Sequence, residues 1–244
     1  MQKINKEKLF KISLTALFIS LGLVCRLFFE IMLPFGGAGT MRISLEGIFI
    51  ALPAIFYGPI YGGAAAGIID ILGTLIKPAG AFIPYITLTA ILLGVLRGIF
   101  WKLLKNVKVK PIFFINLSLF SISFIIGLFN LFNLDYSGSK SFAFIYLPVI
   151  LGALGIIGTL CSLFLKNKDI FLKAFLMQLL SGGTVSIINS YILYTLLIAG
   201  ADMGFMLFAG ARFIEDAFFA LISAYVFLII LPIIEKSINK LLNK

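Results

Sequence analysis

The sequence predicts an all-α, polytopic membrane protein, and three observations carry that prediction. Hydrophobic residues make up 61% of the 244 and charged residues only 12%, an excess that no single water-soluble core can bury. The apolar residues gather into long runs, several of 18 or more, the length a helix needs to cross about 30 Å of hydrocarbon. The few charges fall mostly between these runs, with Lys and Arg shared unequally between the two sides.

The first run, 12–33, follows a basic amphipathic lead-in, MQKINKEKLFK, suited to the inner membrane surface or to anchoring the topology. It is too long for a cleavable signal peptide and lacks a small-x-small cleavage site, so it is expected to remain as a span. The next segment, 45–57, is short; at about 1.5 Å per residue it reaches only some 20 Å. It must tilt into its neighbours or continue through Tyr57-Gly58-Pro59. Spans are expected at 59–76 and 82–104, the latter leading into the loop WKLLKNVKVK before Pro111. Segments 111–134 and 142–165 flank the turn DYSGSKS, and 170–200 and 205–234 complete about eight spans.

An even number of spans puts both termini on one side of a cell membrane. With that side taken as cytoplasmic, fifteen of the 20 Lys and Arg residues lie inside, Arg97 and Lys102 among them. Five, Arg26, Arg42, Lys77, Lys140 and Arg212, lie outside. The net charge of +10 then reports topology and contact with anionic membrane lipid. It does not call for a nucleic-acid partner.

Histidine is absent, which removes His metal sites, His proton relays and Ser-His or Cys-His nucleophile pairs. Cys25 and Cys161 fall at different depths, which argues against a disulfide. No G-x-x-x-x-G-K-[ST] phosphate loop occurs, so the chain cannot hydrolyse ATP by itself. No acidic motif such as D-x-x-D points to an enzyme, and no cofactor or metal is called for.

Residues 58–98 are the most informative stretch: Gly58-Pro59, Asp70-Ile71-Leu72-Gly73, Pro78-Ala79-Gly80-Ala81-Phe82, Thr87-Leu88 and the pair Gly94/Gly98. This run resembles the folate-family substrate-binding (S) components of energy-coupling factor (ECF) vitamin transporters. The resemblance covers roughly residues 10–105 and 170–238 and implies a six-helix core within a single transmembrane domain. Residues 111–165 then read as an inserted helical hairpin. It further implies a folate-like ligand at the outer face, and as partners a transmembrane coupling subunit and two ATPases. In the family an arginine opening the last helix faces substrate, the place Arg212 holds here. A small-xxx-small patch on the first helix meets the coupling subunit, which here is Ala16-x3-Ser20, with Ser where Ala is usual.

Read from the residues alone, three Arg–acid pairs stand four apart: Arg26/Glu30, Arg42/Glu46 and Arg212/Asp216. Each can neutralise itself on one helix face, or the charges can converge on an outer cavity. Folate suits the second reading, because its ring offers donors to carboxylates and its glutamate tail offers carboxylates to the guanidinium fork. Arg212 is the strongest single candidate, against a simple snorkelling role.

An acid at Asp70 inside an apolar helix must face protein, water or ligand. It either holds the turn toward Lys77-Pro78 or contacts the ligand. Phe28, Phe29, Phe35, Phe82, Tyr85 and Phe205 can border an outer cavity or pack and face lipid. KPAGAFIPY, 77–85, is stiff enough to act as a lid. The pairs Gly58/Gly62, Gly63/Gly67 and Gly94/Gly98 allow close helix approach. Two rival functions remain: an S component for another vitamin or precursor, and a stand-alone secondary transporter with a proton site at Asp70, Glu46 or Glu215.

Overall fold

The computed structural model describes residues 2–35, 39–78, 82–133, 139–165, 167–198 and 205–242. Its helices are α1 (Gln2–Phe28), α2 (Glu46–Tyr57), α3 (Pro59–Ile76), α4 (Pro84–Lys105), α5 (Val109–Asn133), α6 (Ser139–Cys161), α7 (Lys168–Leu193) and α8 (Phe205–Leu242). Six helical segments among the described residues are long and apolar enough to cross a membrane, while Glu46–Tyr57 and Pro148–Phe164 are shorter apolar helices. The protein is therefore an all-α, polytopic membrane protein, as its composition requires.

Three boundaries differ from the sequence expectation. The lead-in is continuous with α1, which stops at Phe28 rather than reaching 33. A short hairpin follows, β1 (Ile31–Phe35) paired with β2 (Gly39–Ile43). Pro34, within β1, bars a helix from running on through 33 and 34, since it disfavours helical backbone at the residue before it and cannot donate an N–H. At the other end α8 runs on to Leu242, and its 38 residues span about 57 Å, well beyond the hydrocarbon thickness.

The described residues fall into two compact units. The first holds 1–33, 42–103 and 229–244; the second holds 34–41 and 104–228. In the first, Gly58 joins α2 to α3 with φ +96°, a conformation that L side chains rarely adopt, and Pro59 opens α3 where no N–H is needed. Glycines then bring α3 and α4 together: a Cβ at Gly62 would stand 2.5 Å from the Gly94 carbonyl oxygen, and one at Gly98 would stand 2.5 Å from Pro59 Cα. The glycine pairs of the sequence are thus used for internal packing. Ile50, Ala66 and Ile69 form an apolar core with Ile19 and Leu23 of α1.

Arg97, counted on the inner side within the span 82–104, is buried in its helix. It lies on α4 at 4% exposure and donates from Nη1 to the Gly47 carbonyl at 2.8 Å, because a helix interior that must hold a guanidinium supplies it with backbone acceptors.

In the second unit α5 and α6 form the expected helical hairpin. Gly152 lies against Phe124, Gly127 against Val149 and Gly155 against the Phe120 ring. Phe120 stacks on Phe175 of α7 at 5.3 Å. α7 is buried along most of its length, and Phe171, Leu172 and Phe175 are at most 1% exposed.

Candidate functional site

In the first unit the buried charges converge on Arg26, which is 4% exposed. Its Nη1 donates to Asp70 Oδ1 at 3.0 Å and to the Ile69 carbonyl at 3.4 Å, and its Nη2 donates to Thr74 Oγ1 at 3.0 Å. Nη1 is also 3.7 Å from Glu46 Oε2, and Nε is 3.9 Å from Glu30 Oε2. The second oxygen of Asp70 accepts from Thr87 Oγ1 at 2.7 Å. A guanidinium in so dry a place is tolerable only with such partners.

The pairing differs from the i,i+4 scheme read from the sequence. Arg26–Glu30 is the longest of these contacts, and the closest joins α1 to α3. Glu46 pairs with Arg26; Arg42 lies on β2, and its side chain is outside the described residues. Both oxygens of Asp70 meet protein donors, Arg26 on α1 and Thr87 on α4, so it bridges helices rather than holding the turn toward Lys77-Pro78 that the sequence offered.

The Asp70-Ile71-Leu72-Gly73 run has a physical reading here. Asp70 holds the guanidinium, Thr74 takes its other branch, and Gly73 makes room, since a Cβ there would fall on the Arg26 side chain. Gly73→Ala is expected to cost about 1–3 kcal/mol by overpacking. The thermal unfolding midpoint of the purified variant checks this, and a midpoint equal to wild type would remove Gly73 from the account.

Near this network Lys77 Nζ lies 3.5 Å from the Leu27 carbonyl, linking the end of α3 to the end of α1. Phe28, Phe29, Phe82 and Tyr85 are all exposed, as either ligand contact or lipid contact requires. Residues 79–81 of the expected lid, and the Phe35 side chain, lie outside the described residues.

The second unit gathers aromatic rings around the other favoured arginine. α7 passes into a π-helical turn, Tyr194–Ile198, an irregularity found often at functional sites. Phe205, the first residue of α8, meets Tyr194 at 5.5 Å and Tyr191 at 6.4 Å, both nearly edge-on. Tyr194 is 6.5 Å from Phe208, and Arg212 lies over the Phe208 ring at 5.7 Å from its centroid, within cation–π range. The sequence singled out Phe205 and Arg212 and missed Tyr191, Tyr194 and Phe208. Their signal was the spacing: 191/194 and 205/208 are three apart, and Arg212 follows Phe208 by one turn. Asp216, one further turn along, sits against Gly182 of α7. The loop residues 199–204 lie outside the described residues.

On α1, Ala16 and Ser20 are both exposed, and Ser20 Oγ donates to the Ala16 carbonyl at 3.0 Å, leaving a smooth, self-satisfied small patch. Thr15, Phe18 and Arg26 are buried. Among the described residues no group of three or more His, Cys, Asp and Glu side chains is placed to hold a metal ion.

The folate transporter FolT of Clostridium novyi (strain NT) is 33% identical over 97 residues, 40% of this chain and 53% of that protein. The chain thus spans about half the length of that relative. No solved structure matches. Residues 6–145, more than half of the chain and including all of α5, match the family described as ECF-type riboflavin transporter, S component. Both are transport proteins rather than enzymes, and the chain belongs to the S components of ECF-type transporters.

Proposed function

We propose that this chain is the substrate-capture subunit of an ATP-driven vitamin importer. It binds folate or a related pterin at the outer face of the membrane and passes it inward with a transmembrane coupling subunit and two ATPases. The observation that carries the ligand side of this reading is Arg212 stacked on Phe208 beside Phe205 and Tyr194. Aromatic faces suit a flat heterocycle, and a guanidinium suits the carboxylates of a glutamate tail. The relative named a folate transporter supports folate. The description of the matched family supports riboflavin as the second ligand to test. Both termini are placed in the cytoplasm on the Lys and Arg distribution. The hairpin 111–165 is read as an added layer, although the family match extends into it.

The test is a calorimetric titration of the detergent-solubilised chain with folate and with riboflavin, in the absence of any gradient. Saturable folate binding is expected, and Arg212→Ala should weaken it at least tenfold, about 1.4 kcal/mol. Unchanged affinity in that variant would take Arg212 out of the site. Saturable binding of riboflavin alone would move the chain to the second ligand.

A further inference from the structure

Gln178 stands near the middle of α7 at 2% exposure, and among the described residues neither its amide nitrogen nor its amide oxygen has a hydrogen-bond partner. A buried polar group left unpaired forfeits its hydration without replacement, and surrounding hydrocarbon offers no water to relieve it. Such a side chain fits a position whose partner arrives from outside.

Its placement indicates where. At about 100° per residue, Gln178 shares a helix face with Phe171, seven residues before, and Gly182, four after. Phe171 packs on Tyr225 of α8 at 4.8 Å, and a Cβ at Gly182 would stand 3.5 Å from Asp216 Cβ. Helix geometry therefore turns Gln178 toward the side of α7 that carries its α8 contacts, one turn beyond Phe175, which stacks on Phe120 of α5, at a level between Asp216 and Tyr225. With Gly183 against Phe213, the antiparallel register puts Arg212 roughly 10 Å further along the same interface. Toward that end Ser190 is fully buried with its Oγ likewise unpaired.

We infer that Gln178 is the ring-recognition residue of the proposed vitamin site, an inference that rests on the vitamin reading above. Its carboxamide donates one N–H and accepts through its oxygen, the complement of the cyclic –CO–NH– edge that pterin and isoalloxazine rings share. A neutral amide suits this task at depth, because it discriminates by hydrogen bonding without the desolvation cost of a charge. The ring then lies deepest, with the tail directed toward Arg212 and the aromatic end.

The test compares the full-length wild type with Gln178→Leu by titration with folate and with riboflavin, and by thermal unfolding without ligand. The variant should lose about thirtyfold or more in affinity for whichever vitamin the wild type binds, while its ligand-free unfolding midpoint holds or rises because an unpaired amide has been removed. The two titrations distinguish a pterin from an isoalloxazine ligand. Affinity within about threefold of wild type, or a lowered ligand-free midpoint, would overturn the assignment, the latter by showing that the amide already has a structural partner. If the wild type binds neither vitamin, the vitamin reading fails and the ring assignment with it, whereas vitamin binding that Gln178→Leu leaves intact overturns the assignment alone.

Discussion

Arg26→Leu should be the most damaging single substitution in the first unit, at about 3–5 kcal/mol of stability. The side chain is 4% exposed and is the cation within 4 Å of Asp70, Glu46 and Glu30. Removing it takes a cation from beside carboxylates on three segments, the Asp70 carboxylate among them buried, and it breaks the charged contact between α1 and α3. Asp70→Asn should cost less, because Arg26 keeps Glu46 and Glu30 and the amide oxygen can still accept. Arg26→Lys should fall between wild type and leucine, since one ammonium cannot reproduce the fork that reaches Asp70 and Thr74 together. Thermal unfolding of the three purified variants gives the order. If Arg26→Leu were no worse than Asp70→Asn, the network would not centre on the arginine.

Replacing Ala16 and Ser20 together with tryptophan should abolish ATP-dependent uptake and leave ligand affinity at the wild-type value. Both residues are exposed on α1, one turn apart, and Ser20 satisfies its hydroxyl within its own helix. Among the described residues nothing therefore requires them to be small. A partner helix that approaches closely does require it, and two indoles would hold that helix away. The buried face of α1, with Thr15, Phe18 and Arg26, is untouched by the change. Co-purification of the coupling subunit is the direct readout, and normal co-purification with normal uptake would place the docking surface elsewhere.

Much of the architecture was legible because the solvent is hydrocarbon. An apolar run of sufficient length has few alternatives to a helix, and the eight helices follow those runs. Legibility ended where a local rule competes with a distant partner. The i,i+4 spacing pairs Arg26 with Glu30, yet the closest acid is Asp70, 44 residues away. Spacing counts neighbours on one helix, whereas a buried guanidinium takes the acid with the best geometry. Arg97 was counted only as an inner-side charge at the end of a span, and the Gly47 carbonyl on α2 shows why it can be buried.

The aromatic end was half readable. Phe205 and Arg212 follow from position in the chain, whereas Tyr191 and Tyr194 showed only in a spacing of three, and the π-helical turn that begins at Tyr194 has no composition signal. Gln178 carried a signal that went unused, a lone amide in the apolar run Ala174–Leu180. Such a residue inside a span is a functional candidate on the same physical ground as Asp70.

Uptake of labelled folate into liposomes containing this chain, alone or together with the coupling subunit and its ATPases, tests the central claim most directly. Accumulation is expected only with the full module and ATP, and none by the chain alone even under an imposed proton gradient, because the sequence has no phosphate loop with which to use ATP. Gradient-driven accumulation by the chain alone would contradict it and make the protein a self-sufficient transporter.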